Sequence, residues 1–171
     1  FTVARVISNS TTLRSNYIML NKGSRQGIHR DMAVINPDGI VGTVVSVSEN
    51  FSWVMSVLNK HTKISARINR LNQMGTVVWN GGSPASGTLL DIPAHVKVNK
   101  GDTITTSGFS HIFPEGIMVG KVEKIHIESG EHFYVIDFRF SADLNSLGNV
   151  YVIENLHRKE QLELSKNVID E

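Results

Sequence analysis

The chain has 171 residues, of which 40% are hydrophobic and 19% charged, with a formal net charge of +1 and no cysteine. That length and apolar content suit one ordinary domain or two small ones and are too apolar for a disordered chain. Near-neutral charge without a basic stripe excludes the field of a nucleic-acid binder, and the lack of cysteine excludes disulfides, thiol nucleophiles and Cys-ligated metals. No run is long and apolar enough for a membrane span. The start at Phe1, in strand-like sequence and without an initiator Met, reads as a fragment whose membrane anchor lies outside it.

Strand signals dominate in chain order. After the opening run Val3 to Ile7, β-rich segments fall at Tyr17 to Leu20 and at Ser52 to Leu58. Val45 and Val47 alternate with Ser46 and Ser48. Ile64, Ala66 and Ile68 alternate with polar neighbours, the two-residue period of a half-buried strand. Further strands are predicted at Gly75 to Trp79, Gly87 to Ile92, Asp102 to Thr106 and Val150 to Ile153. Tyr134, Ile136, Phe138 and Phe140 share one strand face. Turn clusters punctuate these runs at Lys22-Gly23-Ser24, Asn36 to Gly39, Asn80 to Ser83 and Asn99 to Asp102. Many short strands at close spacing predict a barrel or sandwich. Helix signal is confined to Glu154 to Ser165, mostly charged, with Leu156 and Leu162 giving little apolar face. A frayed terminal helix or tail is expected there. A seam between two β-rich halves is expected near Asn59 to Thr62.

One unit occurs twice. Pro37-Asp38-Gly39-Ile40-Val41-Gly42-Thr43-Val44 is matched by Pro114-Glu115-Gly116-Ile117-Met118-Val119-Gly120-Lys121-Val122. In each, Pro presets a turn, an acidic residue and Gly follow, and a second Gly interrupts an apolar strand. The pattern predicts two related β-modules, with Gly39 and Gly116 both at positive φ.

No catalytic constellation stands out. His61, Asp102 and Ser107 occur in the chain order of one serine-protease triad, but Ser107 has no preceding Gly to shape an oxyanion hole and lies in no Gly-x-Ser-x-Gly elbow. The seven His show no close ligand spacing, and Asn80-Gly81-Gly82-Ser83 lacks the Lys of a phosphate loop. No cofactor is expected. Apolar residues in a loop are the unabsorbed feature. Phe109, Ile112 and Phe113 lie in Phe109 to Pro114, where a solvated loop is normally polar, and are the candidates for partner contact. Phe51, Trp53 and Met55 share a strand face. Barrel plugs are the competing reading for both groups.

Four segments come in order: Asn21 to Ile28, Pro37 to Val44, Lys100 to Gly108 and Phe113 to Val122. The most specific piece is Gly101-Asp102, then Thr106-Ser107-Gly108, Phe113-Pro114 and Gly116. This series, from Val3 to about Ile153, resembles the extracytoplasmic portion of the MreC family of bacterial rod-shape-determining proteins. The resemblance implies an all-β chain of two small six-stranded barrels, distantly like chymotrypsin barrels, with a short C-terminal tail or helix. Residues 1–60 are expected in the first barrel, with late strands near 132–154 available to complete it. Residues 61–154 are expected in the second and 155–171 in a charged tail. Gly39, Gly42, Gly101, Gly108, Pro114, Gly116 and Gly120 are expected to serve turns and bulges, and Asp102 to cap a turn through its carboxylate.

The family further implies a non-catalytic scaffold of the cell-wall elongation machinery, the periplasmic part of a single-pass inner-membrane protein. It would form homo-oligomers, bind a class B penicillin-binding transpeptidase, and connect through membrane partners to the actin-like MreB. Two other classes stay open: a periplasmic adaptor of a transport system, and a β-barrel serine peptidase.

Overall fold

A computed structural model describes residues 1–169. Among these residues the strands are β1 (Thr2–Asn9), β2 (Ser15–Leu20), β3 (Ala33–Asn36), β4 (Gly39–Val47), β5 (Ser52–Asn59), β6 (Ile64–Ile68), β7 (Gln73–Val78), β8 (Ser86–Pro93), β9 (Thr103–Thr106), β10 (Met118–His126), β11 (Phe133–Phe140) and β12 (Asn149–Ile153). One α-helix follows, α1 (Arg158–Ile169), starting later than the charged composition suggests because Asn155 to Arg158 form a turn first.

The strands close into two barrels, ordered β1-β12-β3-β4-β5-β2 and β10-β11-β8-β7-β6-β9. All pairings are antiparallel. Full closure leaves neither barrel an open edge. The strand that returns to the first barrel is β12, paired with β1 from Thr2↔Val152 to Arg5↔Asn149. This corrects two expectations. Tyr134 to Phe140 does not return, because β11 lies between β10 and β8 in the second barrel, and the second barrel ends at Phe140 rather than running to residue 154.

The two rings have the same order once β12 is read as the first strand of its barrel. Passing from β12 through β1, β2, β5, β4 and β3 matches passing from β6 through β7, β8, β11, β10 and β9. Strand β4 is then the counterpart of β10, and β5 of β11. The register agrees in detail. Gly42 is preceded by an irregularity against β3, and an irregularity against β5 follows Val44; Gly120 is preceded by one against β9, and one against β11 follows Val122. A Cβ on Gly42 would collide with the Met55 carbonyl and lie 2.8 Å from Val54 Cγ1. On Gly120 it would collide with the Arg139 carbonyl and lie 2.8 Å from Phe138 Cδ2. Each glycine lets its strand press onto the neighbour as the barrel bends.

Anchoring the repeat on these glycines sets Gly39 opposite Ile117, and Gly116 opposite Asp38. The two turn glycines are therefore one residue out of step. Both have positive φ as expected, 89° at Gly116 and 159° at Gly39, the latter close to extended strand. The turn at Gly39 is made by Asn36, whose Oδ1 accepts from the N–H groups of Asp38 (2.9 Å) and Gly39 (3.0 Å).

Alternation fills the barrels. Ile136 and Phe138 of β11 are buried while Phe133, Val135 and Arg139 face out. One core contains Ile18, Leu20, Val44, Val54, Val150 and Val152 of the first barrel. The other holds the second barrel's interior together with Ala33, Ile40, Val57 and Leu58 of the first, so packing continues across the junction.

Candidate functional site

The apolar loop lies between β9 and β10, where the first barrel has only the tight Asn36 turn. Thr106, fully buried at the end of β9, organises its return: Thr106 Oγ1 donates to the Pro114 carbonyl (2.6 Å) and accepts from Ile117 N–H (2.9 Å), and the Thr106 carbonyl accepts from Gly116 N–H (2.9 Å). Ser110 Oγ accepts from the backbone N–H groups of Ile112 (3.0 Å) and Phe113 (3.4 Å). Gly108 has φ 79°, and a Cβ there would lie 2.9 Å from Glu115 Cβ, which pulls the base of the loop together. Arg67 of β6 pairs with the Glu115 carboxylate across it.

This scaffolding separates the three candidate contact residues. Phe109 is 71% exposed. Ile112 is half-buried and packs against the second core. Phe113 is only 2% exposed and belongs to that core, so it is not a contact residue. The reason is geometric: the loop bends back after Ser110 and drives Phe113 into the junction between barrels. There Ile112 and Phe113 line a cavity of about 220 Å³ with Gly42, Thr43, Met55 and Val57 of the first barrel. Of the three candidates, only Phe109 projects freely.

Asp102 caps its turn, accepting from Asn99 N–H at 2.8 Å, and Gly101 beside it has φ 89°. Sequence reading missed the partner that fixes it. Arg70 binds Asp102 in a two-pronged contact, Nε to Oδ1 and Nη2 to Oδ2, both 3.0 Å, while Nη2 also donates to the Lys97 carbonyl at 2.9 Å. The Arg70 guanidinium, aided by the Asn99 N–H, holds the Asp102 carboxyl below the usual carboxylate range against the opposing effect of burial. Nothing local marks Arg70, 32 residues away, as that partner.

The would-be triad is not assembled by hydrogen bonds. Asp102 is engaged by Arg70, Ser107 Oγ lies 2.8 Å from Ser65 Oγ, and His61 is exposed on the rim of the junction cavity. Histidines pair singly with carboxylates, His29 with Glu154 and His126 with Asp137, each at 2.9 Å. Among the described residues no group of three or more His, Asp and Glu is placed to hold a metal ion.

A second apolar surface lies on the outside of the first barrel. Tyr17 of β2 stacks on Trp53 of β5 with ring centroids 5.3 Å apart and planes 9° from parallel. Phe51 (46% exposed) adjoins Trp53 (37%), and Met19 sits opposite Trp53 in register. Phe51 and Trp53 are therefore outer-face residues, not plugs, since Val54 takes the inward position. Tyr17 was legible only as strand, because its stacking partner is set by the β2–β5 register.

Glu154 and the helix lie against both barrels. Glu154 meets His29, Arg158 Nη2 donates to Asp31 Oδ2 at 3.1 Å, and Gln161 Oε1 is 3.4 Å from His111 Nδ1. No helix among the described residues is long and apolar enough to cross a membrane.

Comparison with known proteins agrees with this architecture. The family model for rod shape-determining protein MreC, barrel core, matches residues 6–154. A cell shape-determining protein MreC of Haemophilus influenzae is 27% identical over 151 residues, covering 88% of this chain and 43% of the relative. Its Listeria monocytogenes namesake is 28% identical, covering 88% of this chain and 52% of the relative. The chain thus spans about half the length of these relatives or less. Among solved structures, MreC from Pseudomonas aeruginosa superposes with a TM-score of 0.82 at 24% identity, covering 89% of this chain and 97% of that one. An MreC from Helicobacter pylori, solved in complex with the penicillin-binding protein PBP2, gives 0.61 at 20% identity, covering 88% and 98%. Two permuted six-stranded barrels and a family match across nearly all of both make the chain a member of the MreC rod shape-determining family, as its barrel core.

Proposed function

We propose that the chain is a non-catalytic scaffold of the bacterial cell-wall elongation machinery that maintains cell shape. It works on the extracytoplasmic side of the inner membrane, anchored by a membrane segment beyond these residues. It self-associates, binds a class B penicillin-binding transpeptidase, and is coupled to MreB through membrane partners. The observation that carries this reading is the family match over residues 6–154. A relative of the same fold occurs in a complex with a penicillin-binding protein, and two exposed aromatic surfaces, at Phe109 and at Tyr17–Trp53, suit protein contact.

Phe109 is the loop residue proposed to touch a partner, with Ile112 supporting it from below. Co-purification of the full-length protein from its native envelope tests the reading. Recovery of a transpeptidase, reduced in a Phe109→Ser variant, is the expected result; a preparation that carries none overturns it. A fluorophosphonate probe is expected to leave Ser107 unlabelled.

A further inference from the structure

Among the described residues, the side-chain contacts that hold helix α1 to the barrels are polar. From Lys159 to Asn167 every residue is exposed, and a 12-residue helix is marginal in water by itself. Its first residue is tied to the first barrel, where Arg158 reaches Asp31. Asp31 is one of three non-glycine residues with positive φ among those described, at 70°, and its N–H donates to the Val44 carbonyl at 2.9 Å. Asp tolerates this left-handed conformation better than most residues, and the backbone there is fixed by the barrel rather than by the helix. The tie is incomplete: among the described residues Arg158 Nε is buried without a partner. A buried, unsatisfied donor raises the free energy of the docked state and brings it closer to the undocked one.

The position of the docked helix matters because of what it borders. A groove of about 650 Å³ runs between it and the β9–β10 loop. Met74, Phe109 and Pro114 supply its apolar surface, and Asn155, His157 and Gln161 of the C-terminal segment form the opposite wall.

We propose that the segment from Glu154 through α1 is a releasable arm, latched by Arg158 on Asp31, whose docking narrows the groove beside Phe109 against a protein partner. The role in gating rests on the reading of Phe109 as a contact residue; the latch itself does not. Releasing the arm removes one wall of the groove and leaves both barrels whole, because β12 ends at Ile153.

The absence of cysteine makes the test direct. A Met74→Cys substitution in the full chain places a single thiol on the groove, and its rate of labelling by a bulky maleimide reports access. The rate is compared with that in chains that also carry Asp31→Asn, which keeps the tolerance for positive φ but removes the charge, or that end after Ile153. Both changes are expected to speed labelling roughly threefold to tenfold, the population shift available from one exposed ion pair and its neighbours. Melting temperature shows whether the barrels stay folded. Equal rates in all three chains overturn the arm; acceleration by truncation alone overturns the assignment of Asp31 as the latch. Affinity for the purified transpeptidase domain, measured on chains without the introduced thiol, is expected to rise with Asp31→Asn. If labelling accelerates and affinity does not change, gating of a partner is overturned. If Phe109→Ser in the intact chain also leaves affinity unchanged, it is the contact reading that has failed.

Discussion

The carbonyl oxygen of Met118 lies 2.6 Å from the position that a Cβ on Gly39 would take, so the first residue of β4 and the first residue of β10 meet backbone to backbone. The same imagined Cβ lies 3.6 Å from Ser141 Cβ. Counterpart strands of the two barrels thus abut at their starting ends, and a glycine sets how closely.

Gly39→Ala is therefore expected to destabilise the chain by about 2 to 4 kcal/mol, since the obstruction is backbone and cannot rotate away. Gly116→Ala meets nothing within 4 Å and carries only the strain of φ 89°, about 1 kcal/mol. Urea denaturation of both variants checks the order; a larger loss at Gly116 would show that the close approach at Gly39 is not what holds the barrels in place.

Phe113 and Phe109 are four residues apart and should part company in two assays. Phe113→Ala is expected to cost about 3 to 5 kcal/mol of stability, as for other buried aromatics. Phe109→Ser should stay within about 0.5 kcal/mol of the parent in stability. In partner affinity it should lose about 2 kcal/mol, the size of a hot-spot anchor. Calorimetric unfolding and binding on the same two proteins make the comparison.

Thr106→Val keeps the shape of a fully buried side chain but deletes the hydroxyl that joins Pro114 to Ile117. Leaving those two backbone groups without it is expected to cost about 1 to 3 kcal/mol. Faster hydrogen exchange at Ile117 would accompany the loss; unchanged exchange would mean that Thr106 does not organise the loop.

Asp102 predicts an acid limb. Its carboxyl is held below the unfolded value, so the folded chain favours the ionised form. The resulting stability is fully present above the unfolded chain's value of about 3.9 and is lost as pH falls through the lower folded one. Asp102→Asn is expected to cost about 1 kcal/mol near neutrality, discounted for the half-exposed Arg70. The gap from the parent should hold steady above about pH 5 and narrow only as pH falls below about 4. A gap that stays constant with pH would remove the Arg70 pairing as its cause.

The sequence was most legible where the signal is local. The alternation of Ile64, Ala66 and Ile68, and of Ile136, Phe138 and Phe140, is written in adjacent residues and matches the buried faces. Asn99 to Asp102 likewise carries its own turn chemistry. The ring closure by β12 is not local: Val150 and Val152 read as strand, but nothing near them names β1 and β3 as neighbours. Phe113 misled because an aromatic residue in a loop looks the same whether it faces solvent or turns under Ser110 into a junction. The one-residue offset between Gly39 and Gly116 was hidden by the stronger likeness of the turns. The interior glycines, Gly42 and Gly120, keep the true register because each must clear a carbonyl of the next strand. For Asp31 and Arg158 there was no signal, since a positive φ at Asp and an ion pair spanning 127 positions exist only after folding.

The return of β12 also dictates an order of assembly. During synthesis the second barrel, Ile64 to Phe140, is a contiguous stretch and has all its strands as soon as β11 has emerged. The first barrel begins earlier yet waits for Asn149 to Ile153, the last of its own strands to be made, before β1 and β3 have their shared neighbour. Until then two strand flanks stand unpaired, open to pairing with a neighbouring chain. Closure of this barrel is a long-range event that comes after its neighbour has had time to fold, and topologies of that kind fold slowly. Destabilising changes in β12 should therefore appear first as lost yield during folding, before they appear as a weaker finished protein.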